Sequence, residues 1–299
     1  MTHVATLISN PAEPALDATA IDAARAALPG ASEPRWLDAG IAADIPFTPD
    51  ATDKATADRV RAALGHLLLD VVMQPLAARR KRLFVADMDS TMIGQECIDE
   101  LADYVGLKTH VAAITERAMR GEIEFEPALR ERVALLKGLP LAVVGEVVAK
   151  RITLTPGGPA LIATMRANGG YACLVSGGFT LFTSRIAKMI GFDEDRGNTL
   201  EIFDGKLTGR VAEPILGREA KRATLVELRD RLGLSVAETL ATGDGANDLA
   251  MIETAGLGVA YRAKPTVAAA AHARIEHGDL TALLYLQGYS RGDFVEPKA

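Results

Sequence analysis

Apolar positions recur along this chain with two different periods, and the periods divide it. Near the N-terminus, "VATLIS" at 4–9 is an apolar run of strand length, and "ALDATAIDAARAAL" at 15–28 spaces its apolar residues as an amphipathic helix does. A stretch punctuated by Pro and Asp follows, then an apolar segment around 60–74 that suits a helix or a strand. Together these predict a small α+β module over residues 1–80. From position 83 the pattern becomes an alternation. Apolar strand candidates at 83–87, 171–175, 238–242 and 257–260 are separated by segments of helical period, which is the mark of right-handed crossovers onto a parallel sheet. Helices cover both faces of such a sheet, so its strands read as unbroken apolar runs.

Two insertions interrupt the alternation. Between 96 and 152 the patterning is helical throughout ("ECIDELADYVG", "HVAAITERAMRG", "FEPALRERVALLKG", "PLAVVGEVVAKR"), too long for one crossover. It predicts a helical cap over the sheet edge, leaving an α/β core of 81–95 and 153–299. The second, "TLEIFDGKLTGRV" at 199–211, alternates around Asp204-Gly205, a strong hairpin signal. "GFDEDRGN" at 191–198 clusters acids and reads as a solvated loop rather than a calcium site.

Composition narrows the function classes. The 299 residues are 48% hydrophobic and 24% charged, and no stretch approaches the roughly 18 uninterrupted apolar residues of a membrane span. No Lys or Arg precedes Arg25, so the basic start of a secretory signal is missing and a cytoplasmic protein is expected. A net charge of -6 argues against nucleic acid as the main partner. Residues 1–53 hold eight acids against two bases, so the remainder is balanced. "RRKR" at 79–82 reads as a solvated linker. Cys97 and Cys173 fit neither a disulfide framework nor a zinc spacing and are expected to be small buried hydrophobes. His272 and His277, at i and i+5 of an expected helix, face different sides, which disfavours a histidine zinc site.

The chemistry concentrates where strands end. In an open parallel sheet, ligands bind beyond the carboxyl ends of the strands. Strand 83–87 ends in "DMDST", strand 171–175 runs into Ser176, Gly177, Gly178 and Phe179, and strand 238–242 runs into "GDGAND" at 243–248. Asp87 and Asp89, two apart in an extended segment, project to one side and crowd each other. A divalent cation between Asp87 and Asp244 relieves that crowding, and hard oxygen ligands with open positions suit Mg²⁺. Ser176, backed by two glycines, offers a hydroxyl and backbone N–H groups to a phosphate. Asp87 is then the expected nucleophile, forming an aspartyl-phosphate, and Asp89 the acid and base of the two half-reactions. Lys221, in "REAKRATL", is the candidate to balance the charge. Each piece alone has an ordinary explanation: a helix cap for "DSTM", a tight turn for "SGG", a solvated lysine at 221. "GDGAND" is harder to explain away, because Asp244 and Asp248 stand four apart among small residues. The order and strand-end placement of all four carry the functional reading.

At these residues the chain resembles the haloacid dehalogenase (HAD) superfamily of aspartyl-phosphate phosphotransferases, with the four motifs in order across 83–290. Within it the chain is similar to the phosphoserine phosphatases, in "DMDSTMIGQECIDELA", "AMRGEIEFEPALRERVALLKGLP", "VSGGFTLFTSRIA", "DGKLTG" and "GDGANDLAMI". The resemblance implies a HAD-type Rossmann-like core with an inserted helical cap. It implies Asp87 as nucleophile and Asp89 as acid/base. Mg²⁺ would lie on Asp87, the main-chain carbonyl of Asp89, and Asp244. Phosphate contacts fall to Ser176, Gly177 and Lys221, with Asn247 and Asp248 supporting the site. Substrate contacts fall to Glu96, Phe125 and Arg132, where an anion would meet the ammonium of phosphoserine and a bidentate cation its carboxylate.

The expected function is thus an Mg²⁺-dependent phosphoserine phosphatase that releases L-serine and phosphate, the last step of serine biosynthesis as the resemblance implies. A HAD phosphatase for another small phosphomonoester is the alternative, and a non-enzymatic phosphate-binding regulator stands as the rival from another class. The resemblance stops at about residue 80. A homodimer, and an amino-acid effector at the N-terminal module, complete the expectations.

Overall fold

The computed structural model describes residues 1–297, which divide into two compact units. The first contains Met1–Lys81. Its strands β1 (His3–Ser9), β2 (Arg35–Asp38), β3 (Ala42–Phe47) and β4 (Leu69–Pro75) form a sheet in the order β2-β3-β1-β4, antiparallel at β1–β3, β1–β4 and β2–β3. Every second residue enters the same core: Ala5 and Leu7, then Ala43, Ile45 and Phe47, then Leu69, Val71 and Met73. Helices α1 (Ala18–Ala27) and α2 (Asp53–Leu64) cover that face with Ile21, Ala24 and Val60. Asp17 and Thr52 cap their first turns. The apolar segment around 60–74 therefore resolves into a helix that ends at Leu64 and a strand that starts at Leu69. The break is Gly65 at φ 66.

The same unit takes in Pro156–Gly169 and the stretch from Ala273 onward, rather than leaving all of 153–299 to the core. The ties are buried polar ones. Asp70 accepts the backbone N–H groups of Glu276, His277 and Gly278. Arg79 pairs with Asp44 at 2.7 Å and donates to the carbonyls of Tyr285 and Leu286. "RRKR" is thus only half a solvated linker: Arg79 and Lys81 are buried or nearly so, and Arg80 and Arg82 are exposed. A pattern of four like charges does not reveal that one of them finds Asp44.

In the second unit, β5 (Leu83–Ala86) is fully buried and is followed by the helices of the first insertion: α3 (Cys97–Asp103), α4 (Lys108–Met119), α5 (Phe125–Ala134) and α6 (Ala142–Lys150). After α7 (Gly158–Ala167), which groups with the first unit, come β6 (Tyr171–Phe179), α8 (Thr180–Ile190) and β7 (Glu194–Asn198). The hairpin β8 (Leu200–Phe203) and β9 (Lys206–Val211) turns at Asp204 and Gly205, both at positive φ, as its sequence predicts. Then follow α9 (Arg218–Arg231), β10 (Thr239–Gly243), α10 (Leu249–Thr254), β11 (Leu257–Tyr261) and α11 (Pro265–Ala270).

Strands of this unit lie in the order β11-β10-β5-β6-β7 and all pair in parallel. With β10 on one side of β5 and β6 on the other, the connections diverge at β5, which opens a crevice at its carboxyl end. Register sharpens this: Ala86 lies opposite both Thr242 and Leu174, so Asp87, Asp244 and Ser176 follow at neighbouring strand ends.

Two expectations fail here. "GFDEDRGN" is not a loop throughout, because Glu194–Asn198 is strand β7 on the sheet edge. Its polar residues are held by ions instead of apolar packing: Glu194 meets Arg196 and Arg231, and Arg196 meets Glu227. His272 and His277 are on no helix. The alanine-rich run stops being helical at Ala270, Ala271 is extended, and His272 accepts from the Gly258 N–H at 3.1 Å. Both cysteines are buried, as expected. Among the described residues no helix is long and apolar enough to cross a membrane.

Candidate active site

Asp87 leaves β5 still extended (φ -68, ψ 159), and its Oδ1 accepts the Met88 N–H at 2.7 Å. The chain then turns through Ser90 in the left-handed region (φ 54), a conformation uncommon outside glycine. That turn aims three side chains inward. The Ser90 hydroxyl donates to Glu96 Oε1 (2.7 Å), the Thr91 hydroxyl to Asp244 Oδ1 (3.3 Å), and Asp89 Oδ1 accepts the Cys97 N–H (3.2 Å).

Lys221, on α9 and wholly buried, places Nζ 2.6 Å from Asp87 Oδ1 and 2.6 Å from Asp248 Oδ1. The other oxygen of Asp248 accepts the backbone N–H groups of Asp244 and Gly245. Gly243 must lack a side chain, since a Cβ there would run into the Asp248 carboxylate. Carboxylate oxygens of Asp87, Asp244 and Asp248 all come within 4.8 Å of one another. Three buried carboxylates against one lysine leave two negative charges uncompensated, a divalent cation's worth. An all-oxygen donor set suits magnesium or calcium rather than a softer metal. The Asp89 carboxylate is not part of that group.

Above this lies a cleft that joins strand ends to cap helices. Asp87, Asp89, Ser176, Gly177 and Asn247 line it together with Glu96, Phe125 and Arg132, so eight of the sequence-predicted residues share one cavity. Lys221, Asp244 and Asp248 sit beneath it. Ser176 Oγ accepts the Gly178 N–H (2.8 Å), which leaves its hydroxyl hydrogen for a ligand. Phe125 packs so close to Gly177 that a Cβ on that glycine would stand 2.5 Å from the ring. Asn247 Oδ1 is buried without a hydrogen-bond partner, an acceptor held ready for a donor the protein does not supply. Sequence reasoning missed Thr91, which steadies Asp244. It also missed the apolar lining from Ile98, Met119 and Leu129, whose helical spacing is indistinguishable from ordinary core.

Burial dominates the electrostatics. It pushes the Asp89 carboxyl up to about 6, against the hydrogen bonds from Cys97. Burial and the Asp248 charge push Asp244 up to about 7, and the same two causes raise Asp87 well above the carboxylate range, opposed by Lys221. Glu96 is raised by burial and by Asp89. For Lys221 burial acts to remove the proton, but Asp248 and Asp87 outweigh it and hold the ammonium above its ordinary value.

The family model for haloacid dehalogenase-like hydrolases matches residues 84–253. The chain belongs to the haloacid dehalogenase-like hydrolase family. Its family region begins inside β5 and ends inside α10, so it takes in every residue of the cleft and of the acidic cluster below. A phosphoserine phosphatase of Polaromonas sp. is 47% identical over 225 residues, spanning 74% of this chain and 95% of that protein. One from Archaeoglobus fulgidus is 45% identical over 227 residues, 75% of this chain but 66% of its own length. Among solved structures, a substrate-bound phosphoserine phosphatase complex superposes with a TM-score of 0.66 at 39% identity, covering 69% of this chain and 98% of that one. A HAD family hydrolase from Salmonella enterica serovar Typhi reaches 0.84 at 31% identity, over 95% of this chain and 98% of the other. For this haloacid dehalogenase-like hydrolase, that last likeness extends into the N-terminal module.

Proposed function

We propose that the chain hydrolyses O-phospho-L-serine to L-serine and phosphate through an aspartyl-phosphate on Asp87. The observation that carries this reading is the shared cleft. A nucleophile, an acid and a phosphate cradle on the strand ends face a half-buried carboxyl, Glu96, and a buried cation, Arg132, on the cap side. A phosphorylated amino acid presents a phosphate, an ammonium and a carboxylate, and the cleft holds a complement to each. The likeness to phosphoserine phosphatases supports the same substrate.

Asp87 Oδ attacks phosphorus in line with the serine oxygen, forming a P–O bond to the carboxylate as the bond to serine breaks. Asp89, half-protonated near pH 6, gives the departing alkoxide its proton. In the second displacement Asp89 takes a proton from water, whose oxygen attacks phosphorus and releases phosphate and the free Asp87 carboxylate. Lys221 steadies Asp87 throughout and offsets the charge gathered there. Ser176 donates its hydroxyl to the phosphoryl oxygens, and Glu96 and Arg132 fix the amino-acid end. Asp87, Asp244 and the main-chain carbonyl of Asp89 would hold Mg²⁺, with Asp248 behind them. When bound, the ion supplies charge neutralisation to the phosphoryl group.

The test is phosphate release from a panel of phosphorylated amino acids and small phosphomonoesters, with Mg²⁺, with EDTA, and with Asp87→Asn. Preference for O-phospho-L-serine, lost with EDTA and with the substitution, is expected. Turnover of other esters alone would refute the assignment of Glu96 and Arg132 to substrate.

A further inference from the structure

Arg132 is 2% exposed, yet among the described residues its hydrogen bonds go to neutral acceptors. Nε donates to the Ala128 carbonyl one turn earlier on α5 (3.0 Å), and Nη1 to the hydroxyl of Thr115 on α4 (2.9 Å). Thr115, 2% exposed, donates in turn to Oδ1 of Asp99 on α3 (2.8 Å), with the Val111 carbonyl as a second acceptor at 3.1 Å. Three cap helices therefore meet in one line of hydrogen bonds that ends at the cleft.

The order of groups in that line matters. A hydroxyl has one hydrogen and two lone pairs, so it can accept from Arg132 only while its hydrogen points elsewhere. The Asp99 carboxylate draws that hydrogen through a charge-assisted bond, stronger than the one Val111 offers. A carboxylate placed directly on the guanidinium would hold it as firmly but would also neutralise it. Acting through a hydroxyl, Asp99 fixes the plane of Arg132 and leaves its positive charge for a ligand. Sequence patterning would give Thr115 and Asp99 to the interior of helices, with no role.

We infer that Thr115 and Asp99 are positioning residues that aim the Arg132 guanidinium at the substrate's carboxylate, setting selectivity for carboxylated phosphomonoesters without touching substrate. This rests on the phosphoserine reading above. The experiment compares Thr115→Val, Thr115→Ser and Asp99→Asn with the parent on three substrates: O-phospho-L-serine, O-phosphoethanolamine, which lacks the carboxylate, and 4-nitrophenyl phosphate. Thr115→Val should raise KM for phosphoserine by about 10- to 100-fold, because a small misplacement of a clamp is costly. Turnover of the two esters without a carboxylate should stay within about twofold, which also shows that the variant is folded. Thr115→Ser should restore KM, and Asp99→Asn should raise it less than Thr115→Val. An equal loss on all three substrates, or an unchanged KM for phosphoserine, overturns the inference. A parent enzyme that does not favour phosphoserine over phosphoethanolamine overturns the substrate reading and the inference with it.

Discussion

Replacing Lys221 by Met keeps most of the side chain's volume and removes the one ammonium between Asp87 and Asp248. Both carboxylates lose a partner at 2.6 Å while staying almost fully buried, and Asp244 is within 4.8 Å. Removing one partner of a buried ion pair typically costs about 3–5 kcal/mol. At roughly 2–4 °C per kcal/mol for a unit of this size, the melting temperature in EDTA should fall by about 6–20 °C. The loss has a direction in pH. Without the lysine the Asp87 carboxyl, already raised by burial, binds its proton still more tightly in the folded chain, so its contribution is fully present below the unfolded pKa and is lost as pH rises through the folded one. Thermal unfolding followed by circular dichroism should therefore show a larger deficit at pH 8 than at pH 5. Lys221→Met/Asp248→Asn, which removes one of the two stranded charges, should recover much of it. A single variant that melts within about 2 °C of the parent at pH 8, or a double variant no more stable than the single, would refute the charge argument.

Three further outcomes are expected. Gly177→Ala drives a methyl group into the Phe125 ring and should cost about 1–3 kcal/mol of cleft packing, seen as a higher KM for substrate; Phe125→Leu in the same chain should relieve it, and additive losses would count against the contact. Burial pushes the Cys173 thiol up to about 12 and also raises the Cys97 thiol well above its ordinary value, so Ellman's reagent at pH 8 should titrate neither until denaturant is added; prompt labelling of the native protein would contradict their burial. For Glu194, burial is outweighed by hydrogen bonds from Arg231, Tyr171 and Arg196, which hold it down at about 2. Its contribution, about 1 kcal/mol after solvent screening, is present above its unfolded pKa and is lost as pH falls toward 2. The stability gap between the parent and Glu194→Gln in urea titrations should then close over that range, and a gap independent of pH would be the contrary result.

The core and the gathering of strand-end residues in one cleft could be read from the chain because each rests on a local signal. Buried parallel strands make apolar runs, and carboxylates and glycines at their ends have no reason to be there unless something binds. The Asp204-Gly205 hairpin was readable for a similar reason, since only a tight turn explains those two residues between alternating flanks. What escaped was set by distant partners. Strand β7 carries Glu194, Asp195 and Arg196 in place of apolar residues; it pairs with β6, and its charges are met by Arg231 and Glu227 of α9, Thr183 and Ser184 of α8 and Tyr171 of β6. Arg79 belongs with Asp44, and Asp70 with three amides more than 200 positions away, pairings that no periodicity encodes. Met119 and Leu129 have the helical spacing of ordinary core, and they are buried, but they line a cavity.

The register that sets Ala86 beside both Leu174 and Thr242 has a consequence for the order in which the protein comes into being. Thr91 and Asp244, bonded in the finished cleft, are 153 positions apart. During synthesis Asp87 and Asp89 emerge long before Lys221, the rest of the acidic cluster or the strand that carries it, so they are solvated and at ease when first made. The electrostatic burden of this site is met only when β10 docks beside β5, a late and non-local event. Reactivity is in that sense a certificate of completed folding: no amino-terminal fragment, however well its own strands are formed, carries the full set of charges that the chemistry needs.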